Sequence, residues 1–259
     1  MKIDLSGKKA LVGGSSKGIG LGIARQLAES GASVCLMARN ESRLKEIVDQ
    51  LPNSFKHSYL VVDFSKFEEY KIKIEEYTKN NQVDILVNNT QGPAAGNSLS
   101  KNIDSYQEAF DLLFKSVVHT TSLVIPNMQK NKWGRIINVT SVSVKEPLNY
   151  LVLSNSIRSA VVAWGKSLSV DLGSYGITVN SILTGYFDTE RIKELNKEKS
   201  KSLNISETEI LDKMKSLVPA SRLGQPKEYG YLISFLSSDN ASYINGASIP
   251  IDGGLLKSY

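Results

Sequence analysis

Near the start of the chain, Gly13-Gly14-Ser15-Ser16-Lys17-Gly18-Ile19-Gly20 carries the spacing Gly-x-x-x-Gly-x-Gly. Glycines so spaced let a backbone turn tightly, approach a pyrophosphate without an intervening Cβ, and pack a helix close to a sheet. The helix opening at such a turn offers N–H groups and the positive end of its dipole to an anion. Gly14, Ser16, Lys17, Gly18, Ile19 and Gly20 are therefore candidate dinucleotide-binding residues; a glycine-rich turn without a ligand is the alternative. A second signal follows an apolar run that ends Met37-Ala38-Arg39-Asn40. A carboxylate at this point grips an adenosine 2′-OH, whereas a 2′-phosphate needs a cation. Ala38 offers no carboxylate, and Arg39 and Lys17 are two cations, so NADP(H) is favoured over NAD(H). Two surface charges placed there by chance are the competing explanation. Other chemistry is sparse. His57 and His119 have no ligand-spaced partners, so no metal site is expected. Cys35, within an apolar run, reads as a small buried hydrophobe, and Trp133 and Trp164 read as packing aromatics. No Gly-x-Ser-x-Gly elbow points to a hydrolase.

The elements that must hold these residues alternate along the whole chain. Apolar runs occur at Ala10–Val12, Ser33–Ala38, Tyr59–Asp63, Asp84–Asn89, Arg135–Val139, Thr178–Leu183 and Ala247–Ile251. Helical patterns lie between them at Ile19–Glu29, Glu41–Leu51, Phe67–Asn80 and Val152–Leu172. Short β-branched runs separated by helix-length patterns predict βαβ units, hence an α/β fold with a doubly wound, mainly parallel sheet. No linker divides residues 1–259, so one domain is expected. The polar, Lys- and Glu-rich stretch from Asp188 to Lys215 is too long for a plain connection. It is expected to be a helical insertion over 188–217, a lid on the substrate site.

With 259 residues, 41% hydrophobic and 22% charged, the chain can bury a large core, and disorder is excluded. A single cysteine cannot close an intrachain disulfide. The start, Met1-Lys2-Ile3-Asp4-Leu5, lacks the apolar stretch of a secretion signal, and no run reaches the roughly 18 apolar residues of a membrane span. A cytoplasmic protein is expected, with no membrane partner. The net charge of +5 comes from 31 Lys and Arg interleaved with 26 Asp and Glu, without a basic stripe, so no nucleic-acid partner is expected.

Taken together, the motifs resemble those of the short-chain dehydrogenase/reductase family, over nearly the whole chain. The glycine turn is similar to the family's Thr-Gly-x-x-x-Gly-Ile-Gly, with Gly13 replacing Thr. Asn88-Asn89-Thr90-Gln91-Gly92 is similar to its Asn-Asn-Ala-Gly, and Gly134 to Ser141 to the strand that ends at its serine. Thr178-Val179-Asn180, with Thr184-Gly185 and Thr189, resembles its Asn…Pro-Gly…Thr segment, Thr184 replacing Pro; Ile251-Asp252-Gly253-Gly254 matches its C-terminal motif. The resemblance implies a Rossmann-type fold and a homo-oligomer, commonly a tetramer. It also implies cofactor contacts from Asn40, Asp63 (to the adenine amino group), Phe64, Asn89, Thr90, Gln91, Arg158, Gly185 and Thr189. The similar branch is the 3-oxoacyl-acyl-carrier-protein reductases.

The family's reaction uses a Ser, a Tyr that protonates the carbonyl oxygen, a Lys four residues later, and an Asn. Ser141 matches the Ser. At the family's spacing the Tyr position falls on Ser154, the Lys position on Arg158 and the Asn position on Leu113. No Tyr in the chain is followed four residues later by Lys. Arg158 can still donate to ribose hydroxyls, but an aliphatic Ser154 is a far weaker acid than a phenol. Tyr150, one turn before Ser154, Lys145 on the loop after Ser141, and Tyr186 beyond Gly185 are candidate replacement acids. The expected activity is hydride transfer between NADP(H) and a small carbonyl or alcohol substrate with a non-standard proton donor. An inactive NADP(H)-binding sensor or scaffold is the alternative. A third is isomerase, epimerase or lyase chemistry on a bound nicotinamide.

Overall fold

The computed structural model describes residues 3–52 and 56–258, with residue 202 described by its backbone alone; Met1 and Lys2 lie outside the described residues. In chain order, β1 (Lys9–Gly13) leads through the glycine turn to α1 (Gly18–Glu29), β2 (Ser33–Ala38), α2 (Glu41–Gln50), β3 (Ser58–Val61) and α3 (Phe67–Asn80). β4 (Ile85–Asn88) is followed by α4 (Ile103–Phe110), a π-helical turn at Asp111–Lys115, and α5 (Ser116–Asn131). β5 (Gly134–Val139), α6 (Val152–Leu172) and β6 (Ile177–Thr184) come next. Then come α7 (Glu190–Leu203), α8 (Glu207–Leu217), α9 (Pro226–Leu236) and β7 (Ser248–Ile251).

Among the described residues seven strands form one parallel sheet, in the order β3-β2-β1-β4-β5-β6-β7. Parallel strands need crossover helices that cover both faces, which is why these runs are apolar at nearly every position. Successive side chains still separate to opposite faces. Val12, Leu36 and Ile137 join the core with Ile23 and Leu27 of α1 and Tyr229 and Ile233 of α9. Leu11, Met37 and Ile136 join the opposite core with Tyr70 and Ile74 of α3 and Val124 and Met128 of α5. Cys35 is buried in that second core. The chain is thus a single doubly wound α/β domain, as its alternating pattern predicts.

Local signals fix the helix starts. Asn40 caps α2 by accepting the Arg43 amide at 3.0 Å, and Thr189 caps α7 by accepting the Ile192 amide at 3.4 Å. Ser206 and Glu209 close a reciprocal capping box on α8. The stretch expected as a helical insertion is therefore the α7–α8 pair. Among the described residues no helix is long and apolar enough to cross a membrane.

Candidate dinucleotide and substrate site

Strand order reverses between β1 and β4, and the crevice beyond the C-terminal ends of such strands is where doubly wound sheets hold ligands. A cleft of about 890 Å³ occupies that place. Gly14, Ser16, Lys17, Gly18, Ile19, Gly20, Arg39, Asn40, Phe64, Asn89, Thr90, Gln91, Ser141, Ser154, Arg158, Gly185 and Thr189 all line it. Asp63, Lys145 and Tyr150 do not.

The glycine turn is braced from three sides. Ser15, fully buried, donates its hydroxyl to Val12 O at 2.9 Å and accepts the Met37 amide at 3.0 Å, tying the turn to the end of β2. The Asn89 side chain donates to Gly13 O at 2.9 Å, so this asparagine holds the turn's shape from the residue after β4. A Cβ on Gly20 would lie 2.2 Å from Gly14 O, so only glycine permits this approach of helix to turn. Gly18 sits at φ +54°, a left-handed conformation that glycine adopts without strain. No side chain caps α1, and its first turn carries no acidic residue, so nothing within the helix itself offsets the positive dipole end that borders the cleft. This cradle fits a pyrophosphate.

At the β2 end, Arg39 and Asn40 share the cleft wall with Arg43, a third cation that sequence reading did not single out. Arg43 is placed by the Asn40 cap, one helical turn beyond Arg39, and pairs with Glu46 at 2.7 Å. Asp63, the residue expected at the adenine amino group, closes a local turn with one of its carboxylate oxygens. Its Oδ1 accepts the Ser65 amide at 3.0 Å and the Ser65 hydroxyl at 2.6 Å, closing the turn before α3. Burial raises its pKa, but the Ser65 hydrogen bonds and the Arg39 charge outweigh this and hold the carboxyl below its ordinary range. Val62 and Phe64, on either side of Asp63, line the cleft.

At the β5–β6 end, the backbone leaves β5 at Val139 and Ser141 caps a short 3₁₀ turn, its Oγ accepting the Ser143 amide at 3.1 Å. Ser154 and Arg158 project from successive turns of α6. Ser154 is 7% exposed, and the half-buried Arg158 donates to Val139 O at 2.5 Å. Burial lowers the Arg158 guanidinium to a pKa of about 10, with the nearby Tyr229 phenol acting in the opposite direction. Tyr229, wholly buried on α9, shares a 3.0 Å hydrogen bond with Thr184, which explains a threonine side chain at this position. Leu113 is buried in the π-helical turn.

None of the three candidate acids from the surrounding loops is among the residues that line the cleft, although Tyr150 adjoins Leu151 and Tyr186 adjoins Gly185 and Phe187, which do. Lys145 is exposed at the end of the 3₁₀ turn. Its neighbour Glu146 accepts the Lys257 and Ser258 amides at 2.8 Å, tying the end of the chain to this loop. Tyr150 turns under the Lys199 ammonium, which sits 4.0 Å from its ring centre. Burial, followed by the neighbouring Tyr186 phenol, raises the Tyr150 pKa, and burial raises that of Tyr186. Both phenols are weaker acids than an ordinary tyrosine.

A doubly wound sheet with a glycine cradle and cations at the end of β2 defines a dinucleotide-binding α/β protein. The family described as "Enoyl-(Acyl carrier protein) reductase" matches residues 14–256. The chain belongs to the short-chain dehydrogenases/reductases. It is 31% identical over 264 aligned positions to the 3-oxoacyl-(acyl-carrier-protein) reductase of Pseudomonas aeruginosa, covering 99% of this chain and 100% of that one. It is 27% identical to an NADPH-dependent reductase of Bacillus subtilis, covering 98% and 100%. The structure of L-sorbose reductase from Gluconobacter frateurii, complexed with NADPH and L-sorbose, superposes with a TM-score of 0.91 at 30% identity, each chain covered in full.

Proposed function

We propose that this chain is an NADP(H)-dependent oxidoreductase acting on a carbonyl or alcohol substrate, in which Ser154 and Arg158 replace the family's Tyr and Lys and Leu113 its Asn. One observation carries the reading: a single cleft joins Lys17, Arg39 and Arg43 to Ser141, Ser154 and Arg158. The glycine turn would hold the pyrophosphate, and the three cations a 2′-phosphate, guanidinium groups matching its oxygens bidentately. Asn89, Thr90, Gln91, Gly185 and Thr189 would border the remainder of the cofactor. The reductases bound to or dependent on NADPH that match along their full length support the choice of cofactor.

When bound, the reduced cofactor supplies the hydride that reaches the carbonyl carbon. The protein's task is the oxygen. Ser141 donates a hydrogen bond to it, and the Arg158 cation stabilises the alkoxide charge as it develops. A proton then passes from Arg158 to the oxygen and is restored to Arg158 from water. With a pKa of about 10, Arg158 remains protonated at neutral pH yet is a far stronger acid than the alcohol being formed. Ser154 supplies a hydroxyl that can accept from Arg158 and donate to the substrate. Ser141, Ser154 and Arg158 are preferred to Lys145, Tyr150 and Tyr186 because they line the cleft.

The test follows NADPH absorbance across a panel of ketones and 3-oxo thioesters. NADPH consumption is expected, with Ser141→Ala lowering turnover about 10²-fold or more. Tight NADPH binding with no turnover anywhere in the panel would favour the sensor or scaffold reading. Substrate conversion without net NADPH loss would favour an isomerase or epimerase. Assembly into a homo-oligomer belongs to the same proposal and is measured by light scattering.

A further inference from the structure

The phosphate end of the cleft contains a carboxylate as well as cations. Glu194, on the second turn of α7, places Oε1 3.5 Å from Lys17 Nζ and Oε2 3.9 Å from an Arg191 nitrogen. All three residues line the cleft. The second Arg191 nitrogen donates to Pro93 O at 3.0 Å, so Glu194 links the glycine turn, through Arg191, to the loop after β4. An uncharged contact runs beside this link: a Cβ built on Gly18 would lie 3.2 Å from Thr189 Cγ2, at the cap of α7. The first turns of α7 are thus held to both walls of the cleft, on one side through the lysine assigned to the cofactor phosphate.

We propose that Glu194 is a specificity-determining residue: its carboxylate competes with the 2′-phosphate for Lys17 and so couples the seating of α7 to the phosphorylated cofactor. The inference rests on the NADP(H) reading given above. The physical case is an exchange of counter-ions. The Lys17–Glu194 pair is more than half exposed on both sides, and exposed pairs of this kind are weak and easily screened. A phosphate brings close to two charges and three acceptor oxygens where a carboxylate brings one charge and two. The phosphate therefore displaces the carboxylate from Lys17, leaving Glu194 to Arg191 on its own helix. While Glu194 stays charged, part of the phosphate's attraction to Lys17 is offset by repulsion from this carboxylate. NAD(H), without a 2′-phosphate, feels that repulsion less.

Calorimetric titration of the full chain with NADPH and with NADH tests this. Glu194→Gln should bind NADPH about threefold tighter at ~10 mM salt, with a smaller gain for NADH, and the gain should vanish near 1 M salt, where the screening length falls to about 3 Å. In a Lys17→Gln background the Glu194→Gln gain should be lost. Glu198→Gln removes a charge from an exposed position of the same helix, off the cleft, and should leave both affinities unchanged. Unchanged or weaker NADPH binding by Glu194→Gln, or an equal gain for NADH, would overturn the inference while leaving the cofactor assignment intact. Failure of the unaltered protein to bind either dinucleotide would overturn the cofactor assignment itself.

Discussion

Alkaline pH isolates Arg158 at the reacting end of the cleft, because Ser141, Ser154 and Thr184 do not titrate in water and the nearby Tyr150 and Tyr229 titrate above their ordinary value. Burial brings the guanidinium from 12.5 down to about 10. Its charged form is the one that donates, so ketone reduction requires Arg158 protonated and is lost as pH rises through about 10. From the titration curve, about nine-tenths of the protein is competent at pH 9, half at pH 10 and about one-tenth at pH 11. With saturating NADPH, kcat/KM for a ketone should therefore be flat between about pH 7 and 9 and fall about tenfold per pH unit beyond the midpoint. Stopped-flow absorbance gives the rate, and recovery on return to pH 8 separates titration from unfolding. Arg158→Lys should move the limb to lower pH, since the same burial acts on an ammonium whose ordinary value is about 10.4. Arg158→Met should abolish the limb and lower the rate by about 10² to 10⁴. A flat profile through pH 11, or a limb that persists in Arg158→Met, would refute the assignment of Arg158 as donor.

Other substitutions separate binding from folding. Gly20→Ala drives a Cβ to 2.2 Å from the Gly14 carbonyl, so the turn must shift; a cost of about 1–3 kcal/mol and at least a tenfold loss of NADPH affinity by calorimetry are expected. Arg39→Asp puts a carboxylate where a 2′-OH can use it, and should reverse the preference from NADPH to NADH, each affinity moving about tenfold in fluorescence titrations. Arg135, 2% exposed, donates to the Gly134, Gly176 and Ser238 carbonyls as well as to Asp239. Arg135→Met strands those carbonyls and should lower the urea-unfolding free energy by about 2–4 kcal/mol. Asp239→Asn, at a carboxylate 83% exposed, should cost less than about 1 kcal/mol.

The sheet is legible in the sequence because strands covered on both faces leave uninterrupted apolar runs. β2, α3 and α6 begin and end at the residues their patterns predict. The segment between β4 and β5 is not legible in the same way. There the buried face includes Ser116, Thr120 and Thr121, and two of these hydroxyls bond back along the helix, Ser116 to Leu112 O at 2.6 Å and Thr120 to Ser116 O at 2.9 Å. Self-satisfied polar residues break the apolar period, and Pro126 interrupts it again. In the site, the glycine turn and Arg39 were visible because backbone geometry demands particular residue types at fixed spacing. Ser141, Ser154 and Arg158 were visible because the family motif counts to them. Arg43, Arg191 and Glu194 depend on which face a helix turns toward the cleft, and no short motif records that.

The most direct measurement uses NADPH carrying deuterium at the transferable C4 position, incubated with the protein and a ketone that supports turnover, with mass spectrometry of the alcohol formed. Deuterium on the carbinol carbon, in an amount matching the NADPH consumed and sharply reduced in Ser141→Ala, is the expected result. Bound NADPH that returns with its label intact across the whole ketone panel would contradict hydride transfer at this cleft.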